Sequence, residues 1–295
     1  MLADWLKTLP LYPLPHHLIS RGVLWLTRRE SSLTLPAIKR FAKLFNVEMN
    51  DALEPDFAHY KTFNAFFTRA LKPEARPITG GNGEIACPAD GRISALGDIN
   101  EGRIYQAKNQ DYSLLSLLGG DESAAARLKN GRFATVYLSP RDYHRLHMPL
   151  TGKLINQTHV PGRLFSVGPH TVRTLHNLFT RNERVVAQFE TEVGLMALVL
   201  VGAINVAAIE TVWHGLITPP KAKRVSRIDY SDETSITIER GDEMGRFNMG
   251  STIIVLLENK AKWRVDMASG DSVRMGQFLG NCIHEIDQTA ISNQH

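Results

Sequence analysis

Three short segments carry side chains whose types and spacing suit catalysis. Met249-Gly250-Ser251-Thr252 sets a serine hydroxyl after a glycine, directly ahead of the apolar run Ile253–Leu257. Leu138–Pro149 holds two histidines three residues apart, His144 and His147, between Pro140 and Pro149. Histidine titrates nearest neutrality of all side chains, so both suit proton transfer. Pro88-Ala89-Asp90-Gly91 places a carboxylate in a turn-forming cluster. Asp, His and Ser follow one another in chain order, so Asp90 can orient His147, and His147 can take the proton of Ser251. Each segment also has a plainer reading: a turn aspartate, a hydrogen-bonded structural loop leaving a sheet, and a tripeptide that arises by chance. No metal site is expected, because the two histidines lack the further ligands that zinc takes and no His-Glu-x-x-His occurs. Gly-x-Ser-x-Gly is also absent, which argues against the nucleophile elbow of an α/β-hydrolase.

The elements that must hold these residues are legible in the texture of the chain. From Leu71 onward, Gly and Pro punctuate short β-branched runs: Arg132–Leu138, Lys153–Val160, Arg184–Glu190, Leu195–Val201, Val206–Trp213, Ser235–Glu239 and Thr252–Leu257. Strands this short and frequent predict a β-rich domain. Helices are expected within it near Leu114–Leu118, Ser123–Lys129 and Thr171–Leu178. Ahead of it, residues 57–70 read as an aromatic-rich helical patch, and His16–Arg29 and Leu35–Phe45 as helices. In the last, Ile38, Phe41, Ala42, Leu44 and Phe45 fall on one side, and Lys39, Arg40 and Lys43 on the other. The fold expected is α+β: a helical N-terminal region over residues 1–65 and a β-rich domain over residues 66–295.

Charge is unevenly spread. The 295 residues carry a formal net charge of +4. Residues 1–45 hold seven basic and two acidic residues, a balance of +5, so the remainder carries −1. That excludes a uniformly basic nucleic-acid-binding domain and leaves a basic, amphipathic N-terminus that suits either a solvated face or a membrane interface. The longest apolar run, Val193–Ile209, is shorter than the roughly 20 residues a membrane span needs, and reads as buried strands. Leu2–Leu14 carries Asp4, Lys7, Pro10 and Pro13 and does not resemble a signal peptide, so a cytoplasmic protein is expected. Two cysteines, Cys87 and Cys282, fit a reducing compartment, and Cys87 is expected to be plain packing.

From about Lys61 to Phe278 the sequence resembles the bacterial phosphatidylserine decarboxylases of the membrane-associated, pyruvoyl-dependent kind. The blocks that carry the resemblance are Cys87–Gly91, Tyr137–Pro149, Pro161-Gly162-Arg163-Leu164-Phe165-Ser166-Val167, Leu178–Arg184, Ile209–Trp213 and Glu243–Thr252. Two positions depart from the family pattern. Met249 stands where Leu is commoner, a volume-conserving change, and Gly168 stands where Asn is frequent.

The resemblance implies that the chain cuts itself between Gly250 and Ser251. Ser251 Oγ, deprotonated by His147, attacks the Gly250 carbonyl, and the amide becomes an ester. β-Elimination breaks the ester, and the new terminal dehydroalanine loses ammonia by hydrolysis to leave a pyruvoyl group, the expected cofactor. Residues 1–250 and 251–295 would remain together as a heterodimer, with further dimerisation left open. The pyruvoyl carbonyl would form a Schiff base with phosphatidylserine, and loss of CO2 would yield phosphatidylethanolamine. His144 is expected in an acid/base or phosphate-contacting role. A lipid substrate also favours the interfacial reading of the N-terminus, with the protein peripheral at the cytoplasmic face of an anionic membrane. The competing readings are a serine hydrolase using Asp90, His147 and Ser251 on an external ester without self-cutting, and a noncatalytic membrane-binding module.

Overall fold

The β-branched runs pair into one broad antiparallel sheet, and the last of them lies at its heart. In the computed structural model, which describes residues 2–81, 83–107, 110–204, 208–218, 224–231, 235–248 and 251–283, this sheet has nine strands. Gly152–Val160, Arg184–Thr191 and Gly194–Val201 run as a meander. Thr252–Leu257 then enters beside Gly194–Val201 and is flanked on its other edge by Arg132–Tyr137. Gly91–Asp98 follows outside Arg132–Tyr137. Every residue of Thr252–Leu257 is buried and is paired with both neighbours, which is why this strand is continuously apolar instead of alternating.

A second, four-stranded sheet joins Gly215–Leu216, Ile209–Thr211, Glu243–Phe247 and Arg145–His147 in that order. Arg145–His147 therefore corrects the expectation of a loop throughout Leu138–Pro149. Leu146 is buried between two partly exposed neighbours, and the segment pairs with Glu243–Phe247. The expected strand Val206–Trp213 shortens to Ile209–Thr211, with 205–207 outside the described residues, and Ser235–Glu239 shortens to Thr237–Ile238.

Three helices open the chain: α1 (Leu2–Thr8), α2 (His16–Thr27) and α3 (Thr34–Phe45). α3 ends on Asn46 in the left-handed conformation, φ 53°, as C-terminal caps commonly do. The expected helical patch 57–70 is a 3-10 turn, Phe57–His59, and a short helix α4 (Phe63–Phe67), because Thr62 accepts from the Ala65 N–H and caps a new start. Ile38 and Ala42 of α3 and Phe66 of α4 form a small apolar cluster of their own. The expected helix Thr171–Leu178 is split into Pro169–Thr174 and Leu178–Arg181 by Asn177, at φ 57°.

α1 and α2 are seated on residues 161–174 by polar contacts. Arg173 pairs with Asp4 at 2.9 Å, Arg163 Nη2 donates to the Tyr12 carbonyl at 2.6 Å, and the Leu164 N–H donates to His16 Nδ1 at 3.2 Å. The apolar faces do not all turn inward. Among the described residues, half of the exposed large hydrophobic ones belong to the first 45 positions, including Leu6, Leu18, Trp25, Leu26 and Leu44. Among the described residues, no helix is long and apolar enough to cross a membrane.

Candidate active site

Ser251 opens the central strand and is fully buried. Its carbonyl accepts from the Leu138 N–H at 2.9 Å, and its hydroxyl donates to the Val201 carbonyl. The two strands that flank Thr252–Leu257 thus fix Ser251 from both sides. Met249 and Gly250 lie outside the described residues.

His144 and His147 come from the segment that follows Leu138. His144 is fully buried, and its Nδ1 lies 2.8 Å from the Asp142 carbonyl. A carbonyl only accepts, so the proton sits on Nδ1 and Nε2 is a bare lone pair. Nε2 has no partner among the described residues, and the ring centre lies 4.1 Å from that of Phe67. Burial pushes its pKa down to about 3, so His144 is neutral near pH 7. His147 also gives its Nδ1 proton to a carbonyl, that of Gly241 at 2.8 Å, but its Nε2 is occupied by the Tyr143 hydroxyl at 3.0 Å. Burial lowers its pKa as well, against a smaller opposing pull from the Gly241 carbonyl.

Asp90 is buried and fully engaged. Arg76 holds both carboxylate oxygens, with Nε at 2.9 Å from Oδ1 and Nη2 at 2.6 Å from Oδ2, and the Met275 N–H adds a bond of 2.8 Å. Arg76 is held in turn by Asp51 at 2.7 Å. Asp90, His147 and Ser251 are therefore not joined as a hydrogen-bonded relay: each has a different partner. Asp90 and His147 are linked through backbone, since the His147 N–H donates to the carbonyl of Pro88, two residues before Asp90, at 2.9 Å. Cys87, whose thiol is pushed up to about 12 by burial, donates to the Ala89 carbonyl and is inert at this turn.

A pocket of about 230 Å³ lies next to the residues that hold Ser251, which does not itself line it. Its walls include Leu138, which holds the Ser251 carbonyl, and Ala203, two residues past the Val201 that holds the hydroxyl. Phe41 and Phe45 of α3 and Phe67 of α4 supply aromatic walls, and Gly168 lines it too. Next in the chain to its lining residues Ser166 and Ala203, Phe165 and Gly202 are tied together by Asn182, whose side-chain amide donates to their carbonyls at 2.8 and 2.9 Å. Gly162 lies so close to Arg181 and Asn182 that a Cβ would sit 2.5 Å from the Arg181 carbonyl oxygen. Tyr143, Arg76, Asn182 and Phe67 are the residues of this site that the sequence alone does not single out.

The family model described as phosphatidylserine decarboxylase matches residues 63–281, and a second model, described as PSD, matches residues 6–46. Curated relatives named phosphatidylserine decarboxylase proenzyme are similar over most of the chain. That of Alkalilimnicola ehrlichii is 56% identical over 258 residues, 87% of this chain and 90% of the relative. Those of Pseudomonas entomophila and Methylococcus capsulatus are 52% and 50% identical, each covering 94% of the relative and 91% and 92% of this chain.

Proposed function

The chain belongs to the phosphatidylserine decarboxylase family, and from this we propose that it removes CO2 from the serine head group of phosphatidylserine to leave phosphatidylethanolamine. The chain is a proenzyme that cuts itself between Gly250 and Ser251. The observation that carries this reading is the setting of Ser251. A buried hydroxyl heads a strand paired along both edges, so the bond before it can break while the strand behind it stays in place. The relatives' designation as proenzymes favours self-cutting over the hydrolysis of an external ester.

In the cut, Ser251 Oγ is the nucleophile and His147 Nε2 the base. His147 must exchange Tyr143 for Ser251, because the Val201 carbonyl that holds the hydroxyl cannot serve as a base. Asp90 positions His147 through the Pro88 carbonyl, with Arg76 fixing the turn.

The residues present fit a pyruvoyl group at position 251, since Ser251 supplies its carbons and His144 Nε2 is a buried acceptor without a partner behind Phe67. Such a group supplies the carbonyl that takes up the substrate amine and the electron sink for loss of CO2. His144 accepts a proton or an N–H during that phase, its ring fixed by Asp142 and Phe67. The aromatic pocket between α3 and Leu138 takes the apolar part of the lipid.

Residues 1–65 form the membrane-associating region, where exposed Leu18, Trp25, Leu26 and Leu44 accompany the basic Lys39, Arg40 and Lys43. Residues 66–295 form the catalytic domain, and the protein works peripherally at the cytoplasmic face of the membrane. A denaturing gel with intact masses, run beside CO2 release from phosphatidylserine vesicles, tests the whole reading. Expected are chains of residues 1–250 and 251–295, the smaller with a blocked terminus, and a single uncut, inactive chain for Ser251→Ala. Cutting that persists in Ser251→Ala, or an intact active chain, overturns it.

A further inference from the structure

A second and larger cleft, of about 1020 Å³, lies on the far side of Tyr137 and Val167, the two residues whose side chains wall both it and the pocket beside Ser251. Its charge is unbalanced. Six arginines line it against four carboxylates. Arg76 is neutralised by Asp90 and Asp51, and Arg173 pairs with Asp4. Asp142 is occupied by the backbone N–H and hydroxyl of Ser139, at 2.6 and 2.7 Å, and touches Arg141 only at 3.8 Å. Glu48, the remaining acid, makes no ion pair among the described residues. Nor do Arg69, Arg92 and Arg274, although Arg274 feels the charge of Asp51 and Arg69 those of Asp90 and Asp142, so three guanidinium groups face the cleft with no carboxylate in contact among the described residues.

Arg69 makes this imbalance costly. It is only 5% exposed, and among the described residues its Nε has no acceptor and its one side-chain hydrogen bond is from Nη2 to the Arg141 carbonyl at 3.2 Å. Asp90 and Asp142 act on Arg69 only from a distance, and a buried cation with no carboxylate in contact is stabilised when an anion binds against it. Arg92, Arg141 and Arg274 are exposed on the same cleft and offer planar forks that match tetrahedral oxyanions.

We propose that this cleft is a binding site for a phosphate-type oxyanion, held by Arg69, Arg92, Arg141 and Arg274 and separate from the pocket beside Ser251. The anion is free phosphate or the phosphodiester of an anionic lipid head group. Neither source requires an amine, so the site takes molecules that the decarboxylation chemistry cannot use.

The test is calorimetric titration of the wild-type protein as isolated, with two amine-free probes: inorganic phosphate, and dihexanoyl phosphatidylglycerol below its micelle concentration. Arg92→Ala/Arg274→Ala removes two exposed forks of the cleft. Lys61→Ala/Lys262→Ala, exposed and away from the cleft, removes the same charge elsewhere. Expected is saturable one-to-one binding that weakens about tenfold or more in the arginine variant and is unchanged in the lysine variant. Binding of phosphate identifies the free ion as sufficient, and binding of phosphatidylglycerol alone identifies a head-group site. Absence of saturable binding for both probes, or equal weakening in the two variants, overturns the proposal. Neither result touches self-cutting or CO2 release, which are read separately.

Discussion

His144 and His147 are held alike at Nδ1 and differently at Nε2, and that difference separates their chemical settings. Both give the Nδ1 proton to a backbone carbonyl, but the Nε2 of His147 is covered by Tyr143 while that of His144 is bare. A hydroxyl donating to a neutral imidazole favours the neutral form and lowers its pKa. Tyr143→Phe should therefore raise the pKa of His147. As the base of the proposed cut, His147 must be neutral to accept the Ser251 proton, so on that proposal the rise of self-cutting with pH should move upward, with the plateau above it retained. Rates of cutting of freshly refolded precursor across pH 5–8 would show this, and a lost plateau with an unmoved midpoint would make Tyr143 merely structural. At this scale, residue type and chain order bring Asp90, His147 and Ser251 forward as candidates, and the resemblance adds a role for His144. Arg76 and Tyr143 left no such trace. An arginine that grips a carboxylate fourteen positions away has no characteristic spacing, and nothing in Asp142-Tyr143-His144 says which histidine the phenol meets.

Among the elements, the strand Thr252–Leu257 is the one that must survive its own liberation. Five buried apolar side chains at roughly 1.5–3 kcal/mol each amount to something on the order of 10 kcal/mol of burial, beside a ladder on each edge. The cut chains should co-elute on native size exclusion and separate only in denaturant. Ile254→Ala should cost ~2–5 kcal/mol by leaving a cavity in the sheet, seen as a lower urea midpoint of the uncut Ser251→Ala protein; an unchanged midpoint would mean the strand is not the keystone. α3 makes a second, divided prediction. Ile38 is buried against Phe66, whereas Leu44 is 70% exposed. Leu44→Asp should leave stability within about 0.5 kcal/mol yet weaken sedimentation with anionic vesicles about tenfold, and Ile38→Asp should unfold the helix pair. Equal vesicle binding by Leu44→Asp would remove that face from the membrane contact. The sequence pattern put Leu44 with Ile38, but six residues at 100° leave it about 120° away, off the buried stripe. Gly91–Asp98 escaped notice because Gly91, Ser94, Gly97 and Asp98 dilute its β-formers, although its inward positions Ile93 and Ala95 are buried. Arg145–His147 was hidden by its shortness and by Pro140 and Pro149 on either side. The long buried strands were legible because their apolar runs match the core they fill.

At the scale of the whole molecule, burying neutral imidazoles ties the stability of the fold to pH. His144 is fully buried with a folded pKa of about 3, set mainly by burial, and His147 is lowered in the same direction. The unfolded chain, with histidine near 6.5, takes up these protons first as pH falls. The stabilisation is therefore fully present above about pH 6.5 and is lost progressively on acidification toward the folded pKa. Between pH 7.5 and 5.5, His144 alone should account for a loss of about 1.4 kcal/mol. The measurement suits the Ser251→Ala full chain, which stays a single chain so that urea unfolding is unimolecular. In that background His144→Gln should be less stable at pH 7.5, because it disturbs the bond to Asp142 and the packing on Phe67. It should nevertheless lose about 1.4 kcal/mol less than its parent on going to pH 5.5. The carboxylate ion pairs titrate equally in both proteins and cancel in the comparison. Parallel losses in parent and variant would mean that His144 carries a proton in the folded state, and the assignment of a bare Nε2 would fall with it.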